Sequence, residues 1–235
     1  MNNALSRKEI HHLICLRKDP SYREEQRRVF VEGKNLLLDL LQRHTPHKLF
    51  VTQELQPLFA QHPHKLIDEK TALRISDVRS PEGCFAEFDL PQNPSSKVHT
   101  ALVLDRLQDP GNMGTLLRTA LAFGLSNIFL IQPCCDPWNP KAIRAAKGAQ
   151  FDLALTFCSW NELPNLPVII ADTQGTALSH HTTPKEWLLV LGNEAHGPCI
   201  PQHIKATSVT IEIKGPVESL NVAQAGAILL HYFTQ

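Results

Sequence analysis

The chain shows two patterns of apolar residues. From residue 98 onward, short apolar runs alternate with segments whose apolar residues recur at helical spacing. The runs have the length of buried strands and cover residues 101–104, 128–131, 153–157, 168–171, 187–191 and 208–213. The segments at helical spacing cover residues 112–123, 139–149 and 219–233. Strands that alternate with helices predict a mostly parallel sheet covered on both faces.

The N-terminal part has a more mixed pattern. Helical spacing predicts helices over residues 4–18, 34–42, 55–60 and 69–75. Short apolar or alternating runs predict strands over residues 29–31, 48–52, 65–67 and 84–88. Residues 90–97 have the Pro, Asn and Ser composition of a linker. We therefore predict a small α/β domain over residues 1–92, a linker over 93–97 and a second α/β domain over 98–235.

Charge and cysteine content narrow the choice of function only slightly. Lys and Arg number 23 and Asp and Glu number 23, so the net charge of zero gives no global sign of nucleic-acid binding. Residues 1–34 hold 8 basic against 5 acidic residues, so an RNA partner would be met by a local patch. The six cysteines show no metal-ligand spacing, and with no export signal or apolar span we expect reduced thiols, no metal and a cytoplasmic protein.

The first segment of interest follows the predicted strand 101–104. Asp109-Pro110-Gly111 predicts a turn, and Asn112 is a natural N-cap for the helix that follows. Arg118 lies less than two helical turns further along. A capped helix carrying one salt-bridged arginine explains this segment as well as a functional site does.

A second polar segment follows the apolar strand 187–191. Gly192 and Gly197 flank Asn193, Glu194 and His196, and the two glycines allow the backbone to approach a ligand closely. Glu194 at a strand end is a candidate acid, base or orienting group. A polar turn without function explains the segment about equally well.

The third segment precedes the C-terminal apolar helix. Ser219 or its neighbour is predicted to begin that helix, and Asn221 lies two residues further. Polar side chains at a buried helix start need partners. Simple capping accounts for Ser219 and less readily for Asn221. The usual dinucleotide, P-loop, hydrolase and zinc-protease motifs do not occur in the sequence.

The three segments, in this order, resemble the SpoU (TrmH) branch of the SPOUT RNA methyltransferases over residues 98–235. Residues 1–92 resemble, more weakly, the ribosomal-protein-L30e-like substrate-binding domain of that family, through the segment from Arg28 to Gly33. The resemblance implies a parallel-sheet α/β domain with a deep trefoil knot, an exception to the usual absence of knots. It also implies S-adenosylmethionine bound in the knotted loops and a homodimer formed through the C-terminal domain.

The activity implied by the resemblance is methyl transfer from S-adenosylmethionine to a ribose 2′-hydroxyl of ribosomal or transfer RNA, with ribosomal RNA favoured. Carried over by position, the cofactor-binding residues are Asp172, Thr173, Gly192, Gly197, Ile211 and Leu220. The catalytic set is Asn112, Arg118, Glu194, Ser219 and Asn221. Arg118 occupies the position proposed as the essential base. Because a guanidinium is effectively always protonated, holding a phosphate and stabilising charge on the 2′-oxygen is a plainer role.

The RNA contacts are predicted less sharply than the cofactor site. Arg23, Arg27 and Arg28 are candidates for contacts with the RNA backbone, together with Arg118, although a solvated helix face explains the first three equally well. The family usually has Ile-Pro-Met where this chain has Ile211-Glu212-Ile213. That departure supports an alternative function, a non-catalytic RNA-binding or ribosome-associated protein that retains the fold.

Overall fold

The computed structural model describes residues 5–92 and 97–235, which form two β-sheets with flanking helices. The strands of one sheet lie within residues 28–89 and those of the other within residues 100–210. Residues 93–96 of the predicted linker lie outside the described residues. The two sheets thus draw on the chain to either side of that segment.

The N-terminal sheet has four strands in the order β1-β4-β2-β3. Its strands are β1 (Arg28–Glu32), β2 (Lys48–Thr52), β3 (Lys65–Ile67) and β4 (Cys84–Asp89). The helices around it are α1 (Arg7–Lys18), α2 (Pro20–Gln26), α3 (Lys34–Leu40) and α4 (Glu69–Ile75), with a 3₁₀ turn at Gln56–Phe59. β4 is antiparallel to both β1 and β2, whereas β2 and β3 are parallel.

The C-terminal sheet has six strands, all parallel, in the order β10-β8-β9-β5-β6-β7. The strands are β5 (Thr100–Asp105), β6 (Asn127–Ile131), β7 (Ala154–Cys158), β8 (Val168–Ala177), β9 (Trp187–Leu191) and β10 (Ala206–Thr210). The helices are α5 (Pro110–Ala122), α6 (Pro140–Ala146) and α7 (Val222–Phe233), with 3₁₀ turns at Ala149–Asp152, Trp160–Glu162 and Leu178–His180. The predicted parallel α/β architecture is therefore confirmed.

Helix α5 is central to the packing of the C-terminal domain. Three of its apolar side chains, Met113, Leu116 and Leu117, are fully buried, and burial of each such side chain contributes roughly 1.5–3 kcal/mol. Gly114 lets α6 approach closely, because a Cβ there would lie 2.3 Å from the carbonyl oxygen of Ala142. The backbone of α5 is thus fixed between its neighbours, and so are the polar residues that it carries.

The two domains are joined by an apolar contact and by ion pairs. Ile143 and Phe151 of the C-terminal domain are buried in the same cluster as Leu37 and Val51 of the N-terminal domain. Around this cluster, three arginines pair with acids across the junction: Arg23 with Asp136, Arg43 with Asp152, and Arg144 with Glu32 at 2.8 Å. These contacts fix the orientation of the two sheets.

Arg23 belongs to this junction and not to the protein surface. It is 2% exposed, and its guanidinium donates to the carbonyl oxygen of Leu16 at 2.7 Å as well as to Asp136. Burial of Asp136 raises the pKa of its carboxyl, and the Arg23 guanidinium opposes that shift. The prediction that Arg23 contacts RNA is therefore wrong, because its charge is already paired inside the fold.

Several element boundaries differ from those predicted. Asp19 and Pro20 end α1 as predicted, but they also begin α2: the Asp19 carboxylate accepts hydrogen bonds from the backbone of Ser21 and Tyr22. The predicted strand 208–213 runs instead from Ala206 to Thr210, which leaves residues 211–213 in a loop. No helix within residues 5–92 and 97–235 is long and apolar enough to cross a membrane.

Candidate active site

A cavity of about 850 Å³ opens at the carboxyl ends of three neighbouring strands, β8, β9 and β10. This is the edge of a parallel sheet at which α/β proteins bind ligands. All the residues predicted to bind the cofactor line it: Asp172, Thr173, Gly192, Gly197, Ile211 and Leu220. The structure therefore brings together residues from three distant segments of the chain, while their contact with a cofactor stays a prediction.

The first wall of the cavity is a bulge in β8. Ile170 pairs with Ser208 of β10, but the next residue of β10, Val209, pairs with Thr176, so residues 171–175 are left out of the ladder. Within the bulge the Asp172 carboxylate accepts a hydrogen bond from the backbone N–H of Gln174 at 2.9 Å. The bulge ends at Gly175, where a Cβ would lie 2.6 Å from the backbone nitrogen of Val209. Gly175 was not predicted, although an isolated glycine just after an apolar strand run is a signal for a bulge.

The second wall is the loop after β9, which folds back on its own start. A Cβ on Gly192 would lie 2.0 Å from the backbone nitrogen of Pro198, so only glycine fits. Asn193 organises the turn, because its side-chain oxygen accepts hydrogen bonds from the backbone of Ala195 at 3.0 Å and His196 at 3.2 Å. Gly197 completes it with a φ of 67°, in the left-handed region.

Asp105 and Arg106, at the end of β5, hold this loop in place, and neither residue was predicted to belong to the site. Asp105 is fully buried, and its carboxylate accepts a hydrogen bond from the backbone N–H of Cys199 at 2.7 Å. Arg106, with a φ of 55°, donates to the carbonyl oxygen of Gly197 and accepts at its own carbonyl from the side chain of Asn193. The sequence signal for these two residues was that a charged pair directly follows a buried strand, which is where a site at the sheet edge would lie.

Helix α5 begins one turn earlier than predicted. Asp109, and not Asn112, is the N-cap: its carboxylate accepts a hydrogen bond from the backbone N–H of Asn112 at 2.9 Å. Pro110 occupies the first helical position, where its missing N–H costs nothing. Lys141 pairs with the same carboxylate at 2.6 Å, and its hydrogen bond is the largest cause of the lowered pKa of Asp109. Because Asp109 is the cap, the side chain of Asn112 is available for other partners.

Asn112 joins the three polar segments into one network. Its side-chain nitrogen donates to the Glu194 carboxylate at 3.1 Å, and its side-chain oxygen accepts from the side chain of Asn221 at 3.0 Å. Asn221 also caps α7, since its oxygen accepts from the backbone N–H of Ala223 at 2.9 Å. The expectation that Ser219 or its neighbour begins this helix is wrong, as is the alternative that Ser219 caps it, because α7 begins at Val222 with Asn221 as its cap.

Glu194 is the acceptor at the other end of this network. Burial tends to raise the pKa of its carboxyl, but the hydrogen bonds it accepts outweigh burial and hold the pKa below its ordinary value. The donors are the side chain of Asn112 and the backbone N–H groups of Asp109 at 3.2 Å and Gln108 at 3.4 Å. Glu194 is therefore anionic at neutral pH and acts as an acceptor rather than as an acid.

The remaining lining residues make the cavity acidic. Asp172, Glu194, Glu212 and Glu218 line it, and none of the lining residues in the described part of the chain is a lysine or an arginine. Ser219 also lines the cavity and is exposed, as is Glu212, the central residue of the segment that departs from the family pattern. Within residues 5–92 and 97–235, His, Cys, Asp and Glu do not gather in threes as metal ligands do.

Arg118 lies apart from this network. It is exposed on α5 and lines a separate groove of about 390 Å³ at the domain junction, together with Arg43 and Lys147. Its guanidinium has no hydrogen-bond or ion-pair partner among the residues that the structure describes. Six residues separate it from Asn112, which is roughly 9 Å along the helix axis. The alternative in which Arg118 is a structural arginine held by a salt bridge therefore finds no support in the described contacts.

The protein is thus a parallel α/β domain with a cavity at the carboxyl edge of its sheet, joined to a smaller α/β domain. The model of the SpoU rRNA Methylase family matches residues 99–231. The chain belongs to this family. The predicted family and the predicted class of enzyme, an RNA methyltransferase, are thus confirmed.

Individual relatives agree with this assignment. A TrmH-family structure from Porphyromonas gingivalis is 32% identical, covers 97% of this chain and 98% of its own, and has a TM-score of 0.82. An rRNA methyltransferase from Sinorhizobium meliloti, solved with AdoMet bound, is 23% identical, covers 99% and 98%, and with a TM-score of 0.81 shares the fold. A 23S rRNA guanosine 2′-O-methyltransferase of Bacillus subtilis is 29% identical over 181 residues, which is 71% of either chain.

Proposed function

We propose that the protein transfers a methyl group from S-adenosylmethionine to a ribose 2′-hydroxyl of ribosomal or transfer RNA. The observation that carries this proposal is the hydrogen-bonded series Glu194–Asn112–Asn221 at the edge of the cavity. It joins the three motifs that define the resemblance. The Bacillus subtilis relative is named for 2′-O-methylation, which supports the ribose as the methyl acceptor.

The cavity suits S-adenosylmethionine in size and charge. Its volume of about 850 Å³ lies within the range of small-molecule sites. When bound, the cofactor supplies an electrophilic methyl group on a positively charged sulfonium. Asp172, Glu194, Glu212 and Glu218 give the cavity the opposite sign of charge, which favours a cationic ligand. The close backbone turns at Gly192 and Gly175 would hold the neutral parts of the cofactor.

The polar network has a positioning role in this proposal. Asn112 connects the start of α5 to the start of α7 and to the loop after β9, so it fixes the three elements around the cavity. Glu194 stays ionised through the hydrogen bonds it accepts and keeps the loop oriented. Arg118 would bind a phosphate of the RNA, because a guanidinium donates well to phosphate oxygens and does not give up its proton at neutral pH.

Three finer features of the family are part of the proposal. The chain passes from the central strand β9 to the edge strand β10 and returns as α7 against α5, a path that supports a trefoil knot in residues 98–235. The mixed four-stranded sheet over residues 28–89 supports an L30e-like substrate domain. The exposed side of α7, with Ile228 42% exposed beside Gln224 and His231, supports a homodimer through the C-terminal domain.

The experiment that tests the proposal is methyl transfer from radiolabelled S-adenosylmethionine into unmodified ribosomal and transfer RNA, followed by alkaline hydrolysis. Methylation of the ribose leaves labelled dinucleotides that resist alkali, whereas methylation of a base does not. We expect label in the resistant fraction, lost in Arg118→Ala while cofactor binding by calorimetry is retained. Label found only in mononucleotides would contradict the proposed position of the methyl group.

A second candidate function is favoured by one observation, the position of Ile211-Glu212-Ile213 in the cavity wall. If this departure from the family pattern abolishes cofactor binding, the protein binds RNA without modifying it. Calorimetry with S-adenosylmethionine separates the two functions. Replacing Glu212 by Pro, the residue usual in the family, would then restore binding only if this segment is the cause.

A further inference from the structure

The feature that the proposed function leaves unexplained is the groove at the domain junction. We call it the junction groove, and it is lined by Asp39, Gln42, Arg43, Arg118, Leu121, Ala122, Ala146, Lys147 and Ala149. Asp39, Gln42 and Arg43 come from the N-terminal domain, and the other residues from α5, α6 and the turn after α6. The groove therefore exists only where the two domains meet.

The groove brings positive charges close together. Arg118 and Lys147 are exposed, and neither side chain has a hydrogen-bond or ion-pair partner within the described chain. Arg43 is 43% exposed at its side chain and pairs with Asp152, which also contacts His44 at 3.0 Å. Asp39 is the one acidic residue in the lining. Two unpartnered cations, Arg118 and Lys147, in one groove with the partly paired Arg43 favour an anionic ligand.

Lys147 is held in a backbone conformation that is unfavourable for lysine. It ends α6 with φ 53° and ψ 35°, in the left-handed region, where glycine or asparagine is the usual residue. The next residue, Gly148, is left-handed too and packs against Leu40, since a Cβ there would lie 2.8 Å from the Leu40 side chain. A long cation kept at such a position, aimed at a groove with two arginines, indicates a role for its charge.

The rest of the lining limits the kind of ligand. Leu121, Ala122, Ala146 and Ala149 are small or apolar, so the polar contacts fall to the charged and amide side chains that share the lining. Charged side chains recognise a phosphate without reading a base. Arg118 is also roughly 9 Å along α5 from Asn112, so a phosphate in the groove lies within a few nucleotides of a ribose at the cavity.

We propose that the junction groove binds a backbone phosphate of the substrate RNA through Arg43, Arg118 and Lys147, within a few nucleotides of the one that is methylated. This inference rests on the proposed function. Because Arg43 belongs to one domain and the other two residues to the other, the bound strand is held in register with both domains. Arg43 and Lys147 are positioning residues here, since they act on the placement of the ribose.

The test compares the wild type with Lys147→Gln and with the double variant Arg43→Gln/Lys147→Gln. Binding of unmodified ribosomal RNA transcripts is measured over a range of salt concentrations, and KM and kcat are measured at fixed salt. We expect the double variant to bind RNA about tenfold more weakly and the slope of log K against log salt to fall by about 1 to 2. KM for RNA should rise by the same factor, with kcat at saturating RNA within about twofold of the wild type.

The matched control is Lys205→Gln, which removes one exposed lysine just before β10, at the amino edge of the sheet. It should leave RNA affinity, the salt slope and activity unchanged. Lys147→Gly is a second variant that addresses folding, because glycine relieves the left-handed backbone. It should unfold at a higher temperature than the wild type and still lose RNA affinity, which separates loss of the charge from loss of the fold.

Two results would overturn the inference in different ways. If the wild type methylates RNA and the groove variants match it in affinity, salt slope and KM, the groove is not a phosphate site. If the wild type binds S-adenosylmethionine but neither binds nor methylates any ribosomal or transfer RNA, the proposed function itself fails and the groove inference fails with it. Binding of an acidic peptide in preference to RNA, lost in Lys147→Gln, would assign the groove to a protein partner and also overturn the inference.

Discussion

The cavity and the junction groove differ in the sign of their charge, although helix α5 carries residues that take part in both: Asn112 donates to Glu194 in the cavity wall, and Arg118 lines the groove. Asp172, Glu194, Glu212 and Glu218 line the cavity, whereas Arg43, Arg118 and Lys147 line the groove with Asp39 as the one acid. A sulfonium cofactor and a polyanionic substrate need opposite surroundings, and the fold keeps them apart. Asn112 and Arg118 thus belong to two different sites, although they come from one sequence motif. Residues of one sequence motif therefore need not meet in one place in the fold.

The largest effect should come from adding a side chain at Gly192, where two backbone segments of the cavity wall touch. In Gly192→Val, the new side chain would begin 2.0 Å from the nitrogen of Pro198, so the loop must open. We expect cofactor binding to fall by more than about 100-fold, while RNA binding through the groove stays within about twofold. Calorimetry measures cofactor binding, and filter binding measures RNA binding. Gly215→Val, at a position with nothing within 4 Å of its Cβ, is the control and should bind the cofactor normally.

A somewhat smaller effect is expected from removing the link between the motifs. Asn112→Ala deletes the hydrogen bonds to Glu194 and Asn221 and leaves the Asp109 cap in place. We expect kcat to fall about 100-fold, equal to about 2.7 kcal/mol, with RNA affinity unchanged. Thr115→Ala, one turn along the exposed side of α5, should retain activity. A fully active Asn112→Ala would show that the network is not required for turnover.

The pH dependence should distinguish the two sites. The pKa of Glu194 is lower in the folded protein than its ordinary value, so its ionised form contributes stability above the ordinary value. That contribution is lost as the pH falls through the lowered pKa, and we expect turnover to fall about tenfold per pH unit there. Cofactor binding measured against pH should show the same fall, whereas RNA binding should not. In Glu194→Gln the acid limb should disappear; its persistence would assign the limb to another group.

The smallest effect is expected at the predicted surface arginines outside the groove. Arg27 is exposed and pairs with Glu24 at 2.8 Å, and Arg28 pairs with Asp89 at 2.6 Å, so both charges are already partly neutralised. Arg27→Ala and Arg28→Ala should each weaken RNA binding by less than about threefold. The comparison variant is Lys147→Gln in the same assay. A larger loss at Arg27 than at Lys147 would place the main RNA contact on the N-terminal domain.

Most of the fold was predictable because it depends on local pattern. The strands Lys48–Thr52 and Trp187–Leu191 were predicted to the residue, since each is an apolar run with clear ends. The start of α5 was predicted wrongly, because both Asp109 and Asn112 are good caps and only the neighbouring Pro110 and Lys141 favour Asp109. The end of β10 was also missed, since Ile211 and Ile213 continue the apolar alternation although they line the cavity.

The site was predictable only through the order of its motifs. Local pattern in the sequence predicted the parallel α/β architecture, and the order of the three motifs predicted the family and six of the residues that line the cavity. Only the folded chain shows that Asn112 joins Glu194 to Asn221, that Arg23 is buried against Asp136, and that Arg118 and Lys147 share one groove with Arg43 of the other domain. The physical reason is that a charged or amide side chain takes its role from its partners, and those partners lie up to about a hundred residues away along the chain.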